Sequence, residues 1–178
     1  MEPVLEYFTG ERNESYGFLA MGVITLGLGV YFFLVRKGQY LRGMALPFLL
    51  VAVLEIIVGI TIVTRSPKDI VRVEGYLLNN LPQIELTEIP RMETVMRNFV
   101  VFQYVEIALI ITGLVNLYHS TKGTYWRGFA AGLALQAAIV LSLDFFAERR
   151  GHEYLKFLRE GKGSVSRSTH HITDGASS

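Results

Sequence analysis

The chain has 178 residues, of which 51% are apolar and 19% charged, and its formal net charge is +1. A mean hydropathy of +0.34 excludes both an ordinary soluble domain and a disordered chain. With no cysteine, disulfides, thiolate metal sites and thiol nucleophiles are excluded as well.

The first fifteen residues, MEPVLEYFTGERNES, hold four glutamates and one arginine. That is the reverse of a secretory signal peptide's positive start, so the first apolar run is expected to stay in the mature protein. Val4, Leu5, Tyr7 and Phe8 predict a short interfacial helix over 3–8, with a frayed tail as the alternative. The first span, 17–35, carries Gly17, Gly22, Gly27 and Gly29, which predict close approach of another helix. The connection RKGQYLRG is so short that the second span, 46–63, must return antiparallel. Each run is long enough for a helix to cross about 30 Å of hydrocarbon, and a single segment satisfies its own backbone polar groups there only as a helix.

Beyond Thr64, Ser66 is expected to cap a new helix with Pro67 at its first position and Asp69 near its positive end. Ile70, Val73, Leu77 and Leu81 share one face of it, opposite Lys68, Arg72 and Glu74, so it is expected to rest on the membrane or on the protein. Leu81-Pro82 ends that helix. Pro90 opens another that runs unbroken into the third span, 99–117, which holds Gln103, Glu106, Thr112 and Asn116. After HSTKGTYWRG comes the fourth span, 129–146, rich in alanine and glycine and holding Gln136 and Asp144; it is expected to be the central packing helix. A charged amphipathic continuation follows, with Tyr154, Leu155 and Leu158 on its apolar side, and 161–178 reads as a disordered polar tail. The fold class is therefore all-α: a polytopic membrane domain over 1–160 with four transmembrane helices arranged as two tandem helical hairpins.

The two short connections repeat one another. Lys37-Gly38-Gln39-Tyr40-Leu41-Arg42-Gly43 and Lys122-Gly123-Thr124-Tyr125-Trp126-Arg127-Gly128 both read Lys-Gly-x-Tyr-x-Arg-Gly. A duplicated hairpin with a pseudo-twofold axis along the membrane normal accounts for this. So does convergence on a good interfacial turn, since Tyr and Trp anchor at the interface and Lys and Arg meet headgroups. With four spans, both termini and the long middle segment lie on one side. Arg36, Lys37, Arg42, Lys122 and Arg127, with no acid among them, favour the short connections in the cytoplasm and both termini outside it by the positive-inside rule, whereas Arg149, Arg150 and Lys156 after the fourth span argue for the reverse orientation.

Glu55, Glu106 and Asp144 lie within the spans, where an ionised carboxylate costs several kcal/mol unless paired, hydrated or protonated. Two readings follow. In one, Glu55 and Glu106 converge near mid-depth as a proton or cation relay, while Asp144 reaches the interface or Arg149. In the other, the acids join Gln103, Gln136, Asn116 and Tyr104 in an interhelical hydrogen-bond network that fixes packing. The histidines all lie outside the spans. Glu148 and His152, one turn apart, lack the further ligands of a carboxylate-bridged site, so no metal or other cofactor is expected. No phosphate loop, catalytic triad or nucleic-acid patch can be assembled, and no enzymatic activity is expected.

Two tracts carry a resemblance. Pro90-Arg91-Met92 with Val95-Met96, Asn98-Phe99 and Tyr104-Val105-Glu106 is one, and Leu143-Asp144-Phe145-Phe146-Ala147-Glu148-Arg149-Arg150-Gly151 with Tyr154 is the other. Together they resemble small four-span bacterial inner-membrane proteins, some of which are immunity proteins encoded beside a membrane-acting toxin of a type VI secretion system. The resemblance implies a non-enzymatic protein whose partners are the bilayer and a cognate toxin or other membrane protein; a homo-oligomer is expected on the alternative reading. The span glycines and the segment 66–97 would supply the contacts. The alternative class is a small proton- or cation-linked transporter or channel component.

Overall fold

The computed structural model describes the backbone of residues 2–35 and 37–174 and the side chains of 4–35 and 37–160. The protein is all-α, with four helices long and apolar enough to cross a membrane. The elements in chain order are α1 (Glu2–Leu34), α2 (Gln39–Asn79), a single turn α3 (Leu81–Gln83), a π-helical turn (Ile84–Glu88), α4 (Ile89–His119) and α5 (Tyr125–Asp174). The predicted tail, 161–178, lies outside the residues whose side chains are described.

At 1.5 Å per residue α2 is about 60 Å long, twice the hydrocarbon thickness. Its length corrects one expectation: no helix starts at Ser66-Pro67, because α2 runs straight through both prolines, Pro47 and Pro67. Proline removes one backbone donor and crowds the carbonyl four residues back. The turn before Pro67 carries i−4 hydroxyl bonds of its own, Thr64 Oγ1 donating to the Ile60 carbonyl at 2.8 Å and Ser66 Oγ to the Ile62 carbonyl at 2.9 Å. Likewise the segment 3–8 is neither a separate interfacial helix nor a frayed tail but the first turns of α1. Pro90 does sit in the first turn of α4, preceded by the π-helical turn rather than by a loop.

Many buried positions recur at intervals of three, four or seven residues. In α2 they are Ala45, Phe48, Ala52, Glu55, Gly59, Ser66, Asp69 and Val73; in α4, Met92, Glu106 and Gly113 stand whole heptads apart. Such a repeat keeps one seam of each helix on its neighbour. α1 packs along α2, α4 along α5, and α2 along α5, so the central place expected of α5 is shared with α2. Within the first hairpin, a side chain on Gly22 would meet Ile56 and the Ala52 carbonyl, and one on Gly59 would meet Leu19 and the Ser15 carbonyl. Gly29 faces Leu49 in the same way. Gly17 and Gly27, expected to pack, instead look onto open space. Across the most apolar stretch of each spanning helix only 11–33% is buried by protein, least in α4, as lipid-facing helices require.

Beyond the spans, on the side of the termini, the ends of all four helices close into a second layer, here called the cap. Its core is Val4, Tyr7 and Phe8 from α1, Val73 from α2, Ile84 from the π-helical turn, Ile89, Met92 and Met96 from α4, and Tyr154, Leu155 and Leu158 from α5. Tyr7 stacks on Tyr154 with ring centroids 4.1 Å apart, and Phe8 meets the same ring edge-on. Thus the amphipathic segment beyond the second span rests on the protein itself, through Val73 with Ile70 and Leu77.

Candidate functional site

Three groups of polar residues stand out. In the cap, Glu88 ends the π-helical turn fully buried. Arg91 donates to both of its oxygens, Nε at 2.9 Å and Nη2 at 2.6 Å, the bidentate geometry that suits guanidinium and carboxylate best. The Tyr154 hydroxyl adds a bond at 3.2 Å, and Arg72 Nη2 lies 3.5 Å away. Arg72 and Arg65 also hold Asp69, at 2.8 and 2.9 Å. Arg65 continues to Glu11 at 3.0 Å, and Arg150 pairs with Glu14. Burial, with Glu11 and Glu88 close by, pushes the Tyr7 and Tyr154 phenols well above the usual tyrosine range, so both stay neutral donors. Burial also pushes the Glu11 carboxyl up, against the pull of Arg65. These charges join α1, α2, α4 and α5 where each leaves the bilayer.

Within the spans the expected acids are all turned toward other helices, but in separate sets. Gln136 Nε2 of α5 donates to Glu55 Oε1 of α2 at 3.1 Å, and both side chains are buried. Glu106 of α4 and Asp144 of α5 lie near one another. Gln103, one turn before Glu106, donates to Glu148 Oε2 at 2.6 Å, and His152 Nε2 lies 3.4 Å from the other oxygen of Glu148. Glu55 and Glu106 therefore answer to positions eight residues apart on α5, about 12 Å along its axis. Asp144 faces Glu106, while Arg149 turns to Glu153 at 3.7 Å. Tyr104, Thr112 and Asn116 stand on the exposed surface of α4, where Asn116 donates back to the Thr112 carbonyl at 2.8 Å.

No family model, curated protein or solved structure matches the chain. Residue chemistry alone must carry the functional reading.

The third group is the pair of repeated turns, which meet one another. A side chain on Gly43 would collide with the Tyr125 carbonyl, and one on Gly128 with the Tyr40 carbonyl. Tyrosine and glycine of each repeat thus exchange places across a twofold relation between the starts of α2 and α5. Gly123 needs its left-handed φ of +79° to turn the chain, whereas Gly38, its counterpart, has an ordinary φ of −72°. Arg127 Nη1 donates to the Ser120 carbonyl at 2.9 Å, closing the end of α4. Lys37, Lys122 and Arg42 lie at the same end of the molecule.

Sequence reasoning missed the cap network altogether. Its signal was present as Arg65, Asp69 and Arg72 at helical spacing, but that pattern is common to any solvated helix.

Proposed function

We propose that the protein is a non-enzymatic, multi-pass protein of the bacterial inner membrane that acts by binding: an immunity protein that protects its own cell from a membrane-acting, pore-forming toxin of a type VI secretion system. The basic short connections lie in the cytoplasm, and the cap and termini on the outer side, where an incoming toxin arrives. The observation that carries this reading is exposed apolar surface beyond the spans expected from the sequence. Val71, Leu78 and Leu86 are 68–71% exposed, and Leu81 is 43% exposed. Leu78 stands fifteen residues beyond the end of the second span at Val63, about 22 Å further along α2. Large apolar side chains grouped in water mark a docking surface, and the adjoining π-helical turn is a form that recurs at functional sites. The span glycines Gly22, Gly29 and Gly59, by contrast, are engaged within the first hairpin.

The test follows membrane potential with a voltage-sensitive dye in cells lacking this gene and its immediate neighbours. A neighbour restored alone should depolarise the membrane, and this protein should prevent that, as should its Glu55→Gln and Glu106→Gln variants. Leu78→Asp with Leu86→Asp should abolish protection at unchanged membrane level. Protection that survives the paired aspartates, or the lack of any toxic neighbour, overturns the proposal. A second reading, a proton- or cation-linked transporter, draws on the buried Oε2 atoms of Glu55 and Glu106, neither of which has a hydrogen-bond partner among the described residues. It alone requires ion flux that Glu55→Gln and Glu106→Gln abolish.

A further inference from the structure

The repeated turns bring together charges of one sign only. Between Glu14 and Glu55, and again between Glu106 and Asp144, the sequence has no acidic residue, so all 16 acids lie outside the two stretches that contain the turns. Those stretches hold Arg36, Lys37 and Arg42 in the first and Lys122 and Arg127 in the second. The cap at the opposite end mixes the two signs in ion pairs, such as Arg65 with Glu11 and Arg91 with Glu88. The end formed by the turns is therefore basic, with no carboxylate in its own stretches to compensate it.

Packing then concentrates that charge. Gly43 of α2 lies against the Tyr125 carbonyl and Gly128 of α5 against the Tyr40 carbonyl, with no room for a methyl group at either position. Arg42 and Arg127 each directly precede one of these glycines, so both arise beside a backbone-to-backbone contact. Lys37 and Lys122 occupy the same place in each repeat, five residues before the arginine, and both are exposed, as is Arg42. Arg127 is fixed at its turn by donating Nη1 to the Ser120 carbonyl at 2.9 Å. Basic residues that served only to anchor helix ends at the interface would do so equally well far apart, where their mutual repulsion falls off. Two helices in backbone contact instead set two basic pairs side by side, an arrangement that an anion between them stabilises.

The surroundings decide which anion. Leu34, Val35, Tyr118 and Trp126, beside the turns in sequence, are largely exposed and continue the apolar surface of the spans up to the basic residues. A soluble phosphate has no use for apolar surface, whereas a phospholipid presents acyl chains to it and a phosphodiester to the bases. Arginine and lysine both bind phosphate oxygens, and clusters of them next to membrane helices favour anionic lipids. We infer that the two turns together form a site for an anionic phospholipid, its phosphodiester held between Lys37 and Arg42 of one repeat and Lys122 and Arg127 of the other. The inference concerns the protein and its bilayer and stands or falls independently of any toxin.

Trp126 makes the site directly observable, because it is the single tryptophan of the chain, lies within the second turn and is 69% exposed. The full chain is placed in phosphatidylcholine vesicles containing increasing fractions of dibrominated phosphatidylglycerol or dibrominated phosphatidylcholine, since bromine on an acyl chain quenches a tryptophan that it touches. Wild type should be quenched by the phosphatidylglycerol at a fraction about tenfold lower, because each basic residue at a membrane surface contributes about fivefold in favour of anionic lipid. Lys37→Gln and Lys122→Gln should each lower the preference by about that factor, and together bring the two lipids near parity. Lys37→Arg and Lys122→Arg should keep it. Arg149→Gln with Lys156→Gln, which removes two exposed charges at the other end, should leave it unchanged. Preference is measured against brominated phosphatidylcholine within each variant, so a change in the depth of Trp126 alone cancels. Equal quenching of wild type by the two lipids overturns the inference. So does a preference that survives in the double lysine variant, or one that falls as far with Arg149→Gln and Lys156→Gln. A preference abolished by millimolar glycerol phosphate in the buffer overturns it too, by assigning the site to a soluble anion.

Discussion

Glu88 shows how a single residue governs the cap. A fully buried carboxylate is costly unless its charge is matched and its lone pairs are used, and Arg91, Arg72 and Tyr154 meet both needs. Removing only its charge by Glu88→Gln keeps the shape but leaves Arg91, 24% exposed, without its counter-charge. Unpairing a buried ion pair costs about 3 kcal/mol or more, so the variant should unfold at clearly lower denaturant. Arg159→Ala, which breaks the exposed pair with Glu93, should cost less than about 1 kcal/mol. Equal losses in chemical unfolding of the two variants would mean that Glu88 is not the network's centre. None of this was legible in the sequence. The four cap acids come from distant segments, and each beside an arginine looks like an ordinary surface pair; only the fold shows which are buried.

Among elements, the spans were the most legible part, because apolar runs bounded by charge have one physical solution in lipid. Helix ends were less so. Ser66-Pro67-Lys68-Asp69 has the local chemistry of a helix start, yet packing of Asp69 and Val73 in the cap carries α2 through the proline. The glycines divide in a way that composition cannot reveal. Gly43 and Gly128 sit where the starts of α2 and α5 cross with backbone against backbone, whereas Gly27 faces open space. Adding a methyl group at Gly43 or Gly128 must push the helices apart, since the obstacle is a peptide carbonyl and not a movable side chain. Gly43→Ala and Gly128→Ala should each lower stability by about 1–3 kcal/mol. Gly27→Ala should raise it slightly, by up to about 1 kcal/mol from helix propensity. Thermal unfolding in one detergent would check all three, and a stable Gly43→Ala would remove the close crossing. The repeat was therefore legible as a pattern, but not as two turns that pack on each other.

At the scale of the molecule, two layers are held by different forces. The membrane layer lies mostly against lipid, where burial of apolar side chains between helices gains little, so small residues and paired polar groups hold it together. The cap buries aromatic and aliphatic side chains from water and follows soluble-protein physics. Phe8 is the clearest probe of that division, being fully buried, edge-on to Tyr154 and beneath Arg91, whose guanidinium carbon is 6.0 Å from the ring centre. Phe8→Ala should remove about 3–5 kcal/mol from the cap with no counterpart in the spans, where α1 packs through Gly22 and Gly29. Amide hydrogen exchange on the full chain would then speed up over 66–79, 84–98 and 147–160, while 17–34 and 129–146 keep their protection. Were protection to fall equally in both layers, the cap and the membrane layer would be one cooperative unit. A cap that opens alone provides a surface that changes shape without disturbing the membrane helices that carry it.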